Sequence, residues 1–391
     1  MTVGTGEKLR LRTQSKRTWS PPVSFNLSDP EDAHRLESSL TAGEVRTVVD
    51  PIEHLAKGLF ELRHPDRRDD AHMRSAFVAS TLDQGPAFGR WWLFEWSGQL
   101  VRFPDRDDLH ALRTFRNRDL ITAEEQRRLY SSTIAVFGLS VGSSVAERLV
   151  ASGIGGTFVL ADMDIIEPSN LNRINATFGD VGEHKVDFVA KRISTIDPYI
   201  TQVHLRSGIN SQLLESVILE HSPDLLIDEI DDLAMEAHVR QAGRRHRIPV
   251  LMASDVGDRS VIDVERHDLG ARPFHGTLGK HLNELLEGHL TDAQKRQLLM
   301  KMVGVRNVSP RLIDSAQRID TDLAGLPQLG GTAEIGGALL AIAAREILLG
   351  RRLKSAQYVC SPKRILRLQP ATTPRETLSI FRAFVASRSG G

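Results

Sequence analysis

The chain has 391 residues, 40% of them apolar and 26% charged, with 50 Lys+Arg balancing 50 Asp+Glu and a single cysteine. That length holds two or three domains with a real core, and the composition excludes a disordered chain and disfavours a uniformly basic nucleic-acid binder. Cys360, being alone, excludes an internal disulfide and any cysteine-based zinc cluster, and it fits the reducing cytoplasm to which we assign the chain.

Residues 1–30 read as a flexible basic arm, with Lys8, Arg10, Arg12, Lys16 and Arg17 against Glu7, then Pro21-Pro22 and Asp29-Pro30. Met1–Thr18 carries no apolar stretch of the kind a secretory signal needs. Residues 31–105 form a small N-terminal α+β region. Its clearest feature is a hairpin, Arg90 to Trp96 and Gln99 to Phe103 around Ser97-Gly98, whose three tryptophans suit a small core or a subunit contact. Residues 106–130 form a helical connector in which Thr122 and Glu125 make a capping box.

Strand and helix then alternate. Strands are predicted at Thr133–Phe137, Thr157–Ala161, Thr201–Arg206, Asp224–Ile227 and Pro249–Ala253. Helices are predicted at Gly142–Ser152, Lys185–Ile196, Ser211–Glu220 and Leu233–His246. Short apolar strands separated by helices predict an α/β fold, a Rossmann-like doubly wound, mainly parallel sheet over 131–268. Residues 269–391 are a helical and strand C-terminal part that completes this domain. Within it Ile335–Leu349 reads as a buried helix, broken by Arg345 and Glu346 and too short to span a bilayer, so no membrane association is expected.

The first strand runs into Gly138-Leu139-Ser140-Val141-Gly142. Three readings fit this turn: a phosphate-binding turn before a helix N-terminus, a Gly-x-Ser-x-Gly nucleophile elbow, or a structural turn. Asp162 lies 20 residues after Gly142 at the end of the second strand, where a carboxylate meets ribose hydroxyls, and this favours the nucleotide turn.

The segment from Asp162 to Arg173 is more specific: Asp162-Met163-Asp164, a spacer, then Ser169-Asn170-Leu171-Asn172-Arg173. Lys185 follows, then Asp228-Glu229-Ile230-Asp231 at a later strand end, and a late glycine-rich helix from Gly331 to Leu349. Together these resemble the ThiF/MoeB adenylyltransferases of the ubiquitin-activating-enzyme superfamily, over roughly residues 115–350. The resemblance implies ATP and Mg²⁺ as cofactors. Gly138, Ser140, Gly142, Asp162, Asp164, Asn170, Arg173 and Lys185 would hold the nucleotide. Asn170, Arg173, Lys185 and Asp231 would be catalytic, and Asp231 would bind Mg²⁺. The chemistry suits the residues, because an anionic nucleophile approaching the α-phosphate needs bidentate and point positive charge and a carboxylate for magnesium.

The glycine turn is one residue shorter than the family's and carries Ser140 where glycine is expected. No cysteine stands in the 250–300 region, so no thioester relay is expected on this chain. Cys360 reads as a buried strand residue, no zinc is expected, and His267 and His275 read as polar loop residues. Arg116 and Arg118 are candidates for reaching a partner's site in a homodimer. The ending Gly390-Gly391 matches family substrates in form, and a frayed terminus is the preferred reading. The expected activity is adenylation of a carboxylate with release of pyrophosphate. The acid would be a Gly-Gly-ending carrier protein, a peptide or a small acid, with the acceptor supplied separately. A carboxylate on tRNA, a non-catalytic scaffold and an NAD-binding oxidoreductase are the alternatives.

Overall fold

The computed structural model describes residues 18–279, 281–304, 307–319, 321–369, 375–377 and 379–380. Residues 1–17 of the expected arm, and Gly390-Gly391, lie outside these. The chain divides into two compact units, one of Met1–Gln126, Val150–Gly153 and Ala190–Ile200, the other of Arg127–Leu149, Ile154–Val189 and Thr201–Gly391. The expected N-terminal region and most of the helical connector thus fall in one unit, and no division occurs at 268.

In the first unit β1 (Val23–Phe25), β2 (Thr47–Val49), β3 (Arg90–Phe94) and β4 (Gln99–Phe103) form a sheet in the order β1-β3-β4-β2. This corrects the arm expected over 1–30: Val23–Phe25 is a strand paired antiparallel with β3, because Phe25 enters a core with Leu36, Trp91, Leu93 and Leu100. The predicted hairpin is β3–β4, and Gly98 turns it at φ +64°. Helices α1 (Pro30–Thr41), α2 (Ile52–Arg63), α3 (Ala71–Leu82) and α4 (Arg106–Thr114) complete this unit, and α5 (Ala123–Tyr130) begins behind the expected Thr122–Glu125 box. Trp91 is buried beneath the Arg102 guanidinium, 4.5 Å from its ring centroid.

The second unit holds a seven-stranded sheet in the order β11-β10-β9-β8-β5-β6-β7. Its strands are β5 (Thr133–Phe137), β6 (Thr157–Ala161), β7 (Thr201–Leu205), β8 (Leu225–Asp228), β9 (Val250–Asp255), β10 (Ser260–Glu265) and β11 (Ala356–Cys360). From β7 to β9 all pairs are parallel; β10 and β11 are antiparallel additions. The helices are α6 (Val141–Ala151) and α7 (Lys185–Ile196), whose ends from Val150 and from Ala190 count with the first unit, then α8 (Ser211–His221), α9 (Leu233–His246), α10 (His281–Leu286), α11 (Asp292–Val303), α12 (Pro310–Ala316), α13 (Gly330–Leu348) and α14 (Pro362–Ile365). The doubly wound sheet is therefore as expected. Chain order runs outward from β5 through β6 to β7 and resumes on its other side at β8, so the switch point lies between β5 and β8.

Two elements differ from expectation. The strand expected to end at Ala253 runs on to Asp255 as β9 and turns tightly into β10, its antiparallel partner. Cys360 does close a strand, but β11 is the sheet's outermost and mostly exposed, and Cys360 is only half-buried. Helix α13 lies close on its neighbours because Gly336 and Gly337 present no side chain: a Cβ there would stand 2.9 Å from Ser260 Oγ and 3.1 Å from Ser144 Cβ. The helix expected to be buried is not so all round, since Ile342 is 48% exposed. Among the described residues no helix is long and apolar enough to cross a membrane.

Beneath the strand ends lies a buried charge network. Arg240 of α9, 1% exposed, pairs with Asp228, with Glu265 at 2.7 Å and with Glu236 at 3.7 Å. Burial opposes its charge, yet these three acids outweigh it and raise its basicity. Burial in turn pushes Glu236 up to about 8. His267, expected in a loop, is buried in a short helical turn. Its Nδ1 lies 3.0 Å from the Ala271 carbonyl, and Glu265 is within 3.3 Å of its Nε2.

Removing the cation strands three carboxyls, so Arg240→Ala is expected to cost about 3–5 kcal/mol in urea unfolding. Because Glu236 binds its proton more tightly folded than unfolded, its contribution is complete below pH 4.5 and lost as pH rises towards about 8. Unfolding measured across that window should fall less steeply for Glu236→Gln than for the wild type.

Candidate active site

The carboxyl ends of β5, β6 and β8, the loop after β6 and the start of α7 carry the groups singled out in the sequence. Gly138 leaves β5 at φ +84°, and a Cβ there would lie 2.2 Å from the Glu229 carbonyl oxygen. Only glycine fits that approach. Gly142 is similarly close, its missing Cβ 3.0 Å from Val136 Cγ1. The positive φ falls on Gly138 and not on Ser140, so the strained serine of a nucleophile elbow is absent.

Ser140 instead faces Arg173, whose Nε donates to its Oγ at 3.1 Å, while Nη1 donates to the Ser169 carbonyl at 3.2 Å and to Asn172 Oδ1 at 3.1 Å. Nη2 has no hydrogen-bond partner among the described residues. Burial lowers the basicity of this guanidinium, opposed by the nearby charges of Asp231 and Asp255.

Asp162 is pinned by the backbone. Its Oδ2 accepts from Leu139 N–H at 2.6 Å and its Oδ1 from Asp164 N–H at 2.7 Å, tying the end of β6 to the turn after β5. Burial raises its pKa, opposed by Lys185 3.9 Å away and by those two N–H groups. Lys185 opens α7 with its ammonium 2.8 Å from Asp164 Oδ2. Asn170 is buried, and its Oδ1 accepts from Glu167 N–H at 3.0 Å, closing the loop; its NH₂ has no partner among the described residues. Unbonded donor groups therefore remain at Arg173 Nη2 and at the Asn170 amide among the described residues, each side chain held by its other atoms.

The two acids of the Asp-x-x-Asp element separate. Asp228 is wholly buried on Arg240, whereas Asp231 is exposed and accepts no hydrogen bond among the described residues, the state a magnesium ligand needs. Asp232 caps α9 through Ala234 N–H at 3.1 Å. His275 is 2.7 Å from Asp263, and with Glu265 these offer ligating atoms within 4.8 Å of one another; each already has a protein partner. Arg116 and Arg118 are exposed in the first unit.

Three features were missed in the sequence. Ser140 was read as a nucleotide-holding residue, not as a rest for Arg173. Glu229 accepts from Ala253 N–H at 2.7 Å, and burial pushes its carboxyl well up. Asp255 ends β9 with both carboxyl oxygens buried and unbonded. An acid at the carboxyl end of a central strand was the available signal, and extending that strand by two residues would have found it. A cavity of about 740 Å³ lies elsewhere, between α13 and β10–β11, and its lining is mostly apolar.

The model of the ThiF family matches residues 114–355. An uncharacterized Mycobacterium tuberculosis protein is 38% identical over 270 residues, 68% of this chain and 37% of that one. The tRNA threonylcarbamoyladenosine dehydratase of Bacillus subtilis is 30% identical over 37% of this chain and 57% of its own length. For the Escherichia coli sulfur carrier protein ThiS adenylyltransferase the figures are 29%, 39% and 60%. The chain thus spans 37% to 60% of the length of these curated relatives. Among solved structures, the E. coli tRNA N6-threonylcarbamoyladenosine dehydratase superposes with a TM-score of 0.46 at 21% identity, covering 61% of this chain and 95% of that one.

Replacing Asp162 by alanine would leave two N–H groups at the turn unsatisfied. We expect Asp162→Ala to lower stability by about 1–3 kcal/mol in urea unfolding, a loss independent of any ligand.

Proposed function

The chain belongs to the ThiF family, and from that premise we propose that it adenylates a carboxylate, with ATP and magnesium, releasing pyrophosphate. The observation that carries this reading is the pairing of Arg173 with the crevice at the switch point. A guanidinium fixed by three hydrogen bonds keeps a donor edge free beside an exposed, unbonded aspartate.

In this reading the triphosphate lies over the Gly138–Gly142 turn, where the missing side chains allow close approach and the start of α6 favours an anion. Asp162 orients the ribose from the end of β6. Arg173 Nη2 and Asn170 NH₂ meet the α-phosphate oxygens, and Lys185 turns from Asp164 to the developing negative charge. Asp231 would hold the magnesium ion, whose charge would offset that of the phosphate oxygens. The substrate carboxylate oxygen attacks the α-phosphorus in line, the bond to the β-phosphate bridging oxygen breaks, and an acyl-adenylate is formed.

The acid on this reading is a carrier-protein or peptide C-terminus or a small acid, and a separate acceptor takes the acyl group. With no cysteine between residues 250 and 300, the chemistry on this chain ends at the acyl-adenylate. The relatives named as tRNA threonylcarbamoyladenosine dehydratases support a second reading, activation of a carboxylate carried on tRNA. A homodimer in which Arg116 or Arg118 reaches the other copy's site is supported by their exposure.

The test is calorimetric titration with Mg·ATP and with NAD, followed by ATP–pyrophosphate exchange against small acids and Gly-Gly-ending carrier proteins. ATP binding is expected without NAD binding. Arg173→Ala is expected to weaken ATP at least about tenfold and, like Asp231→Ala, to abolish exchange. Binding of NAD in place of ATP, or full exchange by the double variant, would overturn the assignment.

A further inference from the structure

The adenylation reading leaves Asp255 without a task. Its carboxyl ends β9 at the same edge of the sheet as Asp228 and the Gly138 turn. Both of its oxygens are buried and accept no hydrogen bond among the described residues. Directly across the β9–β10 hairpin stands Ser260, wholly buried, its Oγ also without a partner. Cross-strand partners point to one face of a sheet, and here that face is covered by α13. Ser260 Oγ would stand 2.9 Å from a Cβ at Gly336, and Thr332 Oγ1 donates to the Gly257 carbonyl at 3.1 Å.

The first turn of α13 abuts the Arg173 loop as well. Asn172 Nδ2 donates to the Gln328 carbonyl at 2.8 Å, and a Cβ at Gly330 would lie 2.0 Å from the Asn172 carbonyl oxygen. Asp255 therefore sits in a polar corner between the hairpin, the start of α13 and Arg173. Arg173 is the charge that eases its ionisation, while burial pushes it up to about 6. Glu229 adds a second buried carboxyl close enough to feel its charge.

A buried acceptor with no donor is a costly thing to keep in a folded chain. It is costlier still where a carboxylate and a triphosphate must both arrive. A ligand that brings a cationic N–H to this corner relieves both costs at once. Resting on the adenylation reading, we propose that Asp255, with Ser260 beside it, is a specificity subsite for an ammonium group on the carbon next to the substrate's carboxyl. The acid activated is then an amino acid, which selects the small-acid branch of that reading. A site built around an unmet N–H acceptor discriminates strongly against the analogue that lacks the donor.

The proposal is tested by calorimetry on the full chain with two non-reactive acyl-adenylate mimics, glycyl-sulfamoyl adenosine, which carries the ammonium, and acetyl-sulfamoyl adenosine, which does not. AMP serves as the reference. The wild type is expected to prefer the glycyl compound by at least about tenfold. Asp255→Asn, equal in size, should reduce the ratio of affinities to near one, and Ser260→Ala should lower it in part. Equal affinities in the wild type, or a preference that survives Asp255→Asn, would overturn the subsite and leave the corner to a bridging water. If AMP and the mimics all fail to bind, adenylation itself is overturned and this proposal with it. AMP binding without discrimination sinks the subsite alone.

Discussion

Gly138 and the Glu229 carbonyl approach each other where the sheet changes its direction of growth, closely enough that even a methyl group would not fit between them. That contact fixes how far the end of β5 stands from the end of β8. Around it the other groups take their places: the turn to Gly142, Asp162 bonded back to Leu139, and Asp231 three residues beyond the end of β8. The geometry comes from backbone packing, so side chains in the crevice are free for chemistry.

The acids of this region divide by what surrounds them. Asp228, Glu236 and Glu265 are spent on Arg240, in a cluster where burial raises the proton affinity of Glu236. Asp162 is given over to two backbone N–H groups. Asp164 and Asp231 are exposed, and Asp255 is buried without a donor. Aspartates that look alike in sequence thus serve as core anchor, turn pin, metal ligand in the proposed reading, and unmet acceptor.

Much of the parallel sheet was legible because β5, β6, β8 and β9 are short, largely apolar runs and the connections are helices with their own start signals. The strand at Val23–Phe25 was not legible, since three residues beside Pro21-Pro22 carry no period and only the pairing with β3 makes them a strand. The resemblance carried by the segment from Asp162 to Arg173, and by Lys185 after it, singled out Asn170, Arg173 and Lys185 as expected site residues. The Ser140–Arg173 bond was hidden, because it spans 33 residues and depends on the rotamer of a long side chain. The burial of Arg240 was hidden for the same reason: its partners Asp228, Glu236 and Glu265 come from three different elements.

The serine in the shortened turn gives Arg173 a place to wait. An arginine free in solution carries roughly 2 kcal/mol of rotamer freedom that any anion recruiting it must remove. Docked on Ser140, Ser169 and Asn172, the side chain has surrendered much of that freedom when the chain folded, before any phosphate arrives. On the adenylation reading, the serine in this turn therefore transfers an ordering cost from each nucleotide-binding event to a single folding event.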